Sequence, residues 1–507
     1  MKRIVFPLLV LVLTLSLFSP SAATAQTAVN ATWSSGIVYY NPTDTGGGSL
    51  SVNYLNGDTG ASVGSNNAAI EGHQSGELLI GDAGSVPADF RGSAVVSSDV
   101  PLVAVYRQFI AADQADKNYS PVLYTAFDST QGSLKYYIPT FNRSPGFKSL
   151  VGVQNVTGGQ VQVRLHIINA TDGTDITWPN DGTMHLLNAN QTWIVDSNTD
   201  NLKDLLGRNF NGSIWIEATG NVVVAAQEQE QTGRRAYAFE GIPVEQAGAQ
   251  VFMASAMCRY GKTLQTSYYA LQNTGAVSTD IYVNYYDANG KLLNRTPLKA
   301  ASNVPAYGKA SINTCSTRTL SGKTGSAKFW AVTGGTGASG TPQNLVGMGK
   351  VQSNDGLMTA FTGEAVGDTL PTLPYVPWGG LANDYRTYIA VMNTGATNIT
   401  NLWIRYYYLD SGGAAQYNDV QLASASKPLK PYAKISTTPA SAPGAIRDAR
   451  DGFVAAEIGA LDSGSIIPLD AAQPIVALAR VQRAVSKVRG ITTLGEDYSG
   501  IDISSLR

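Results

Sequence analysis

The sequence predicts an all-β chain, four tandem antiparallel β-sandwich units behind an export leader, and three observations carry that prediction. A strand ending on Asn recurs four times at nearly constant spacing. Each copy is followed by turn residues and then by a strand of period-2 alternation. The composition is rich in Gly (52) and Tyr (25) but only 14% charged, below the ~25% usual for soluble domains, and 43% apolar content is ample for a packed core.

Taking the chain in order, Lys2 and Arg3 precede an apolar stretch from Ile4 to Phe18, with small residues at Ala23 and Ala25. This predicts a secretory leader over residues 1–25, cleaved after Ala25. The stretch is shorter than the ~20 residues a spanning helix needs, so no membrane insertion is expected. Cleavage removes two positive charges and leaves 33 basic against 37 acidic side chains (35 − 2 = 33), a net charge of about −4. Such a balance argues against nucleic acid or an anionic membrane as partner.

The repeats then set the organisation. IVYYNPTD, LVGVQNVTG, YYALQNTGA and YIAVMNTGA bring short apolar strands to Asn41, Asn155, Asn273 and Asn393, spaced by 114, 118 and 120 residues. Thr follows each Asn within two residues, then Gly or Asp, and an Asx side chain there can bond to backbone two residues on. The alternating strand comes next: Leu50, Val52 and Tyr54; Val161, Val163, Leu165 and Ile167; Ile281, Val283 and Tyr285; Leu402, Ile404 and Tyr406. Each runs into a hairpin-type turn, LNGD, NATDGT, DANGK or LDSGG. Later landmarks recur as well: a strand opened by Gly92, Gly212, Gly325 or Gly452, and the apolar runs PLVAVYRQ, VVVAAQEQ, NLVGMGKVQ and PIVALARVQ, read as strands buried on both faces. The units fall at 26–133, 134–248, 249–368 and 369–491, with a C-terminal tail at 492–507. The tail is expected to be flexible and available as an added strand. The one helical stretch, NLKDLLG from Asn201, belongs to a loop, and the two prolines of GDTLPTLP make the fourth unit a semi-rigid extension of the third.

Seven or eight short strands per unit suggest a two-layer sandwich, immunoglobulin-like or jelly-roll-like in strand order. The Asn-Thr-Gly turn, V-x-Y-Y strand, D-x-N-G hairpin and later G-S strand resemble the tandem immunoglobulin-like sandwiches of secreted bacterial surface proteins, over nearly the whole mature chain. That resemblance implies display outside the cell as a link in an extended array. It names no activity.

Cys258 and Cys315 are expected to pair in an oxidising compartment. The bridge would close a loop of 57 residues, worth roughly 4 kcal/mol in the chain-entropy model.

Catalytic and metal motifs occur by spelling only. Gly60-Ala61-Ser62-Val63-Gly64 fits G-x-S-x-G but lacks the strand-to-helix elbow. Gly335 to Gly340 spells G-x-G-x-x-G but leads into a strand pattern where a dinucleotide fold needs a helix. His73, His166 and His185 stand at no ligand spacing, and alternation places His166 outward with Arg164, in solvent. Asp172, Asp175 and Asp181 read as turn formers without the EF-hand pattern. Glu228 and Glu230 would project from one strand face about 6–7 Å apart, a separation compatible with glycoside chemistry. Their polar surroundings point instead to an exposed strand end with solvated pairs to Arg234 and Arg235. No catalytic, cofactor-binding or metal residue is assigned, and no cofactor is expected.

Tyr39-Tyr40, Tyr285-Tyr286 and Tyr406 to Tyr408 put alternate rings outward. Tyr286 and Tyr407 are therefore candidate contacts for a ligand or for self-association. The expected function is a secreted, non-catalytic structural protein of the cell envelope or extracellular matrix. Its expected partners are itself, other envelope proteins or a polysaccharide. An adhesive or glycan-binding protein is the alternative, and a glycosidase working through Glu228 and Glu230 a remote third.

Overall fold

The computed structural model describes residues 9–13, 33–87, 90–110, 121–128, 130–231, 235–334, 338–379, 385–442, 446, 453–488 and 491–506. It is all-β, in antiparallel sheets. The helical stretch anticipated at Asn201 is a short helix, Leu202–Leu206. Among the described residues no helix is long and apolar enough to cross a membrane.

One pairing scheme occurs four times. In the third unit the first sheet runs from a lead strand (Gln250–Met257) to a Gly strand (Thr324–Thr333), the alternating strand (Thr279–Asp287) and its hairpin partner (Leu298–Val304). The second sheet runs from a short strand (Lys309–Asn313) to the Asn strand (Thr266–Asn273), the apolar strand (Leu345–Gln352) and an end strand (Met358–Thr362). In sequence order the sheets read 1-6-3-4 and 5-2-7-8, so the first strand lies beside the sixth. The immunoglobulin order instead pairs the first strand with the second. In the second unit the Gly strand and the apolar strand are one continuous strand, Phe210–Glu230, which passes from one sheet into the other.

Local chemistry explains why the scheme repeats. Gly48–Asn56 and Val161–Asn169 share an identical alternation of buried and exposed positions, as a strand with one face in the core requires. The four Asn side chains are buried and bond alike. Each Nδ2 donates to the carbonyl four residues on, Thr45, Gly159, Val277 or Thr397, at 2.7–2.8 Å. It also donates across to Glu71, Leu187, Val304 or Leu429. Each Oδ1 accepts from the backbone N–H two residues on. The side chain thus replaces backbone partners that a buried turn would otherwise lack. A side chain at Gly92, Gly212 or Gly325 would run into the carbonyl oxygen of Leu55, Ile168 or Tyr286. Only glycine lets the Gly strand approach the end of the alternating strand this closely. Gly452 lies outside the described residues.

The units are not strung out in series. The end strand of the first unit (Val122–Thr125) packs on that of the second (Ala236–Glu240), which packs on Met358–Thr362. That strand packs on the fourth unit's end strand (Ile491–Ser499), which returns to Val122–Thr125. Four end strands so close a ring. The outer face of each second sheet is apolar and rests on the preceding unit. Ala270, Met348 and Ala360 join the core of the second unit, Met392, Val476 and Leu478 that of the third, and Val38, Val105 and Leu123 that of the fourth. The cores are therefore continuous across the joints, which an extended array of independent sandwiches would not show.

Residues set apart in the sequence as a tail are built into the ring. Ile491–Ser499 pairs along Ile475–Val488, and Ile501–Asp502 pairs with Pro371–Leu373, the fourth unit's lead strand. The expected flexible tail is thus not free, because Tyr498 joins the fourth core and Leu494 is buried as well. In the first unit the lead position beside Gly92–Ser98 is held by the backbone of Leu9–Leu13, within the stretch expected to be the leader.

Candidate functional site

Glu228, Tyr286 and Tyr407, singled out in the sequence, lie at the joints between units. Glu228 lies on the apolar strand of the second unit, where the third unit covers it, and it is 3% exposed rather than at an open strand end. One carboxylate oxygen accepts from Thr140 Oγ1 at 2.6 Å and Asn142 Nδ2 at 2.7 Å, and the other from Lys350 Nζ of the third unit at 2.7 Å. Lys309 Nζ donates to Thr140 Oγ1 at 3.1 Å. Burial first, then the neighbouring Lys350 ammonium, lowers the Lys309 pKa to about 7. Glu230 pairs with Arg235, and Arg234 lies outside the described residues. Glu228 is thus paired with Lys350 across the joint, and Glu230 with Arg235 within its own unit.

The expected outward tyrosines do leave their own sheet outward, and the next unit covers them. Tyr286 is 7% exposed and stacks on Tyr432 of the fourth unit at 4.7 Å between ring centroids. Tyr407 is 5% exposed and stacks on His73 of the first unit at 4.3 Å, with the rings 3° from parallel. Neither is open to an external ligand. Strand alternation reports which side of a sheet a residue leaves by, and it is blind to a second layer on that side.

The joint that closes the ring is built around Glu457, fully buried in the fourth unit. Its carboxylate accepts from Tyr40 of the first unit at 2.8 Å and from Tyr407 at 3.3 Å. His73 Nδ1 lies 2.9 Å from the Tyr40 hydroxyl, and Nε2 lies 2.9 Å from Asp44. Beside this cluster Arg107 reaches from the first unit to the Tyr385 hydroxyl at 2.7 Å, with Glu77 at 3.4 Å and Glu496 at 3.9 Å. Burial raises the Glu496 pKa to about 7, against the opposing pull of Arg107.

The remaining candidates have local roles. Cys258 and Cys315 form a disulfide. His166, expected in solvent, stacks on Trp215 at 3.8 Å and lies 2.8 Å from Asp175. Trp215 sits opposite it on the neighbouring strand, a pairing set by register rather than by local sequence. His185 stacks on Trp193. Asp172 and Asp181 accept from the backbone N–H of Thr174 and Thr183, and among the described residues no three His, Cys, Asp or Glu side chains are placed to hold a metal ion. Gly60 is a turn residue at φ 70°, and Ser62 opens a strand that pairs back on Gly48–Asn56. Gly335 to Gly340 falls partly outside the described residues.

No protein-family model matches the chain, and no curated protein matches it. Among solved structures it is similar to the crystal structure of Thermotoga maritima 1070, at 12% identity over 23% of this chain and 98% of that chain, with a TM-score of 0.19, too low to carry an argument.

Proposed function

We propose that the chain is a secreted, non-catalytic structural module of the cell envelope or extracellular matrix, and that copies of it join by strand addition. The supporting observation is the lead position of the first unit. In the other three units a strand of the chain itself fills that position. In the first it is filled by Leu9–Leu13, which cleavage after Ala25 would remove. The edge of Gly92–Ser98 would then offer unpaired backbone groups to an extended strand of a second copy, the β-augmentation mode of recognition. Glu228, Tyr286 and Tyr407, which suggested chemistry or ligand binding, are engaged in the joints, which accords with a rigid module rather than an enzyme.

The test is light scattering with negative-stain imaging of purified residues 26–507 across a concentration series. Oligomers or filaments that revert to single particles when Val95 and Ser97 are replaced by Pro are expected. A monodisperse monomer at every concentration would overturn the self-assembly reading.

A further inference from the structure

Where the four end strands meet, a partly open chamber of about 610 Å³ is lined by all four units. Six carboxylates line it: Asp128 from the first unit, Glu240 and Glu245 from the second, Glu364 and Asp368 from the segment joining the third unit to the fourth, and Asp502 from the fourth. Among the described residues, no Lys, Arg or His lines it. A concave wall carrying one sign of charge focuses the field and concentrates counter-ions.

Most of these carboxylates have protein donors. Glu240 accepts from the Thr125 backbone N–H, Glu245 from Ser133 at 3.2 Å, and Asp128 from Thr130 at 2.5 Å. Asp502 accepts from the backbone N–H of Leu370 at 3.2 Å and Ser504 at 3.1 Å. Glu364 differs. Its backbone is held by Phe252 on both sides, yet both of its carboxylate oxygens are shielded from solvent and have no hydrogen-bond partner. A buried carboxylate without a donor costs several kcal/mol unless it is neutralised or paired. The backbone bridge prevents the side chain from escaping by moving the strand.

We infer that the chamber is a cation-binding site, with Glu364 as its principal acceptor, for a positive charge that brings its own hydrogen-bond donors. A hydrated divalent metal ion and the ammonium groups of an organic polyamine share that chemistry. Since no three acidic side chains converge as direct ligands, an ion would keep much of its water. At ~30 Å³ per water the chamber has room for a complete hydration shell. The same volume lies within the range of small-ligand sites. Burial, followed by the charges of Asp368 and Asp502, raises the Glu364 pKa. Burial and Asp502 raise that of Asp368 to about 8. Binding would therefore displace protons and strengthen with pH. The site is independent of the assembly reading, and neither outcome of one test decides the other.

The experiment is isothermal titration of residues 26–507 with calcium chloride in one arm and spermidine in the other, at pH 6.5 and 8.5, in two buffers of different ionisation enthalpy. One saturable site per chain is expected in one arm, at least tenfold tighter at pH 8.5, with proton release. Glu364→Gln should weaken it tenfold or more, and Asp368→Asn should flatten the pH dependence. If Glu364→Gln does not fold, the Asp368→Asn protein decides alone. Absence of saturable binding in both arms, or binding unchanged in both folded variants, adventitious surface cations only, would overturn the site.

Discussion

The joint between the second and third units and the joint between the fourth and first use equivalent faces of equivalent sandwiches and differ in what holds them. At the former, a short connection tethers the partners, and Lys350 closes on Glu228 within a hydrogen-bonded cluster. At the latter no chain connection links the partners. Arg107, which stands where Lys350 stands in its own unit, shares its guanidinium among Tyr385, Glu77 and Glu496. At the same joint Glu457 takes two tyrosine hydroxyls, and His73 Nδ1 lies 3.9 Å from its carboxylate. A cavity of about 260 Å³ remains beside this joint, lined by Tyr39, Gln74 to Glu77, Leu409 and Phe453. A second cavity, of about 180 Å³, lies at the joint between the second and third units, where Thr140, Asn142, Lys309 and Lys350 are among its lining residues, so repetition fixes the geometry of a joint without fixing its chemistry.

The largest expected effect comes from truncation. Deleting residues 491–507 removes the fourth unit's end strand, its buried Leu494 and Tyr498, and the Asp497 that pairs with Arg480 at 2.7 Å. The product should lose cooperative thermal unfolding by circular dichroism. A soluble, folded product would mean that the ring does not need its last strand.

Next come the two buried glutamates. Glu228→Ala strands the Lys350 ammonium and should cost about 3–5 kcal/mol in urea unfolding. Glu457→Ala removes the carboxylate acceptor shared by Tyr40 and Tyr407, at about 1.5–3 kcal/mol for a hydrogen bond to a charged group. A loss for Glu457→Ala larger than for Glu228→Ala would reverse the comparison. Separately, Glu457→Ala should open the ring and raise the radius of gyration in small-angle scattering above the roughly 23 Å of a compact chain this long, whereas the tethered joint should not open.

The dependence on pH follows from the buried groups. Lys309 and Lys434 both have pKa values lowered to about 7, first by burial, with Lys350 adding to the effect at Lys309 and Arg480 at Lys434. Between pH 7 and about 10 the unfolded chain binds more protons at these positions, so they make stability rise with pH. Asp368 is raised to about 8 and Glu496 to about 7. Between about pH 4 and 8 the folded chain binds more protons there, so they make stability fall with pH. The opposing slopes place a minimum of stability near pH 7–8, to be read from melting temperatures measured between pH 5 and 9.5. A maximum in that window would show that the buried lysines and carboxylates are not held as described.

The smallest effect expected is the stacked pair across the closing joint. A double-mutant cycle of His73→Ala and Tyr407→Ala should return a coupling of about 0.5–1.5 kcal/mol. Zero coupling would mean that the rings touch without holding the joint.

What was legible in the sequence was whatever is encoded within a few residues. The Asn turns, the alternating strands and the two-sided burial of the apolar runs are local, and each reads off its own segment. The burial of Glu228, the covering of Tyr286 and Tyr407 and the integration of residues 491–506 depend on which unit lies against which. No spacing within a unit reports that. A hint was nevertheless present. Runs such as PIVALARVQ are apolar on both faces, and one sandwich core can cover only one of them. The second face required another layer, and Lys350 and Arg107 near the ends of such runs marked where its charges would meet.

Ring closure also sets an order of events in time. The contact from Tyr40 to Glu457 spans 417 residues. At a synthesis rate of about 5–20 residues per second, roughly 20–80 s separate the appearance of the two partners. The three tethered joints can form as each successor emerges, while the apolar outer face of the first unit, with Val38, Val105 and Leu123, must wait for the fourth. Throughout that interval the nascent chain presents a sticky surface whose intended cover has not yet been made.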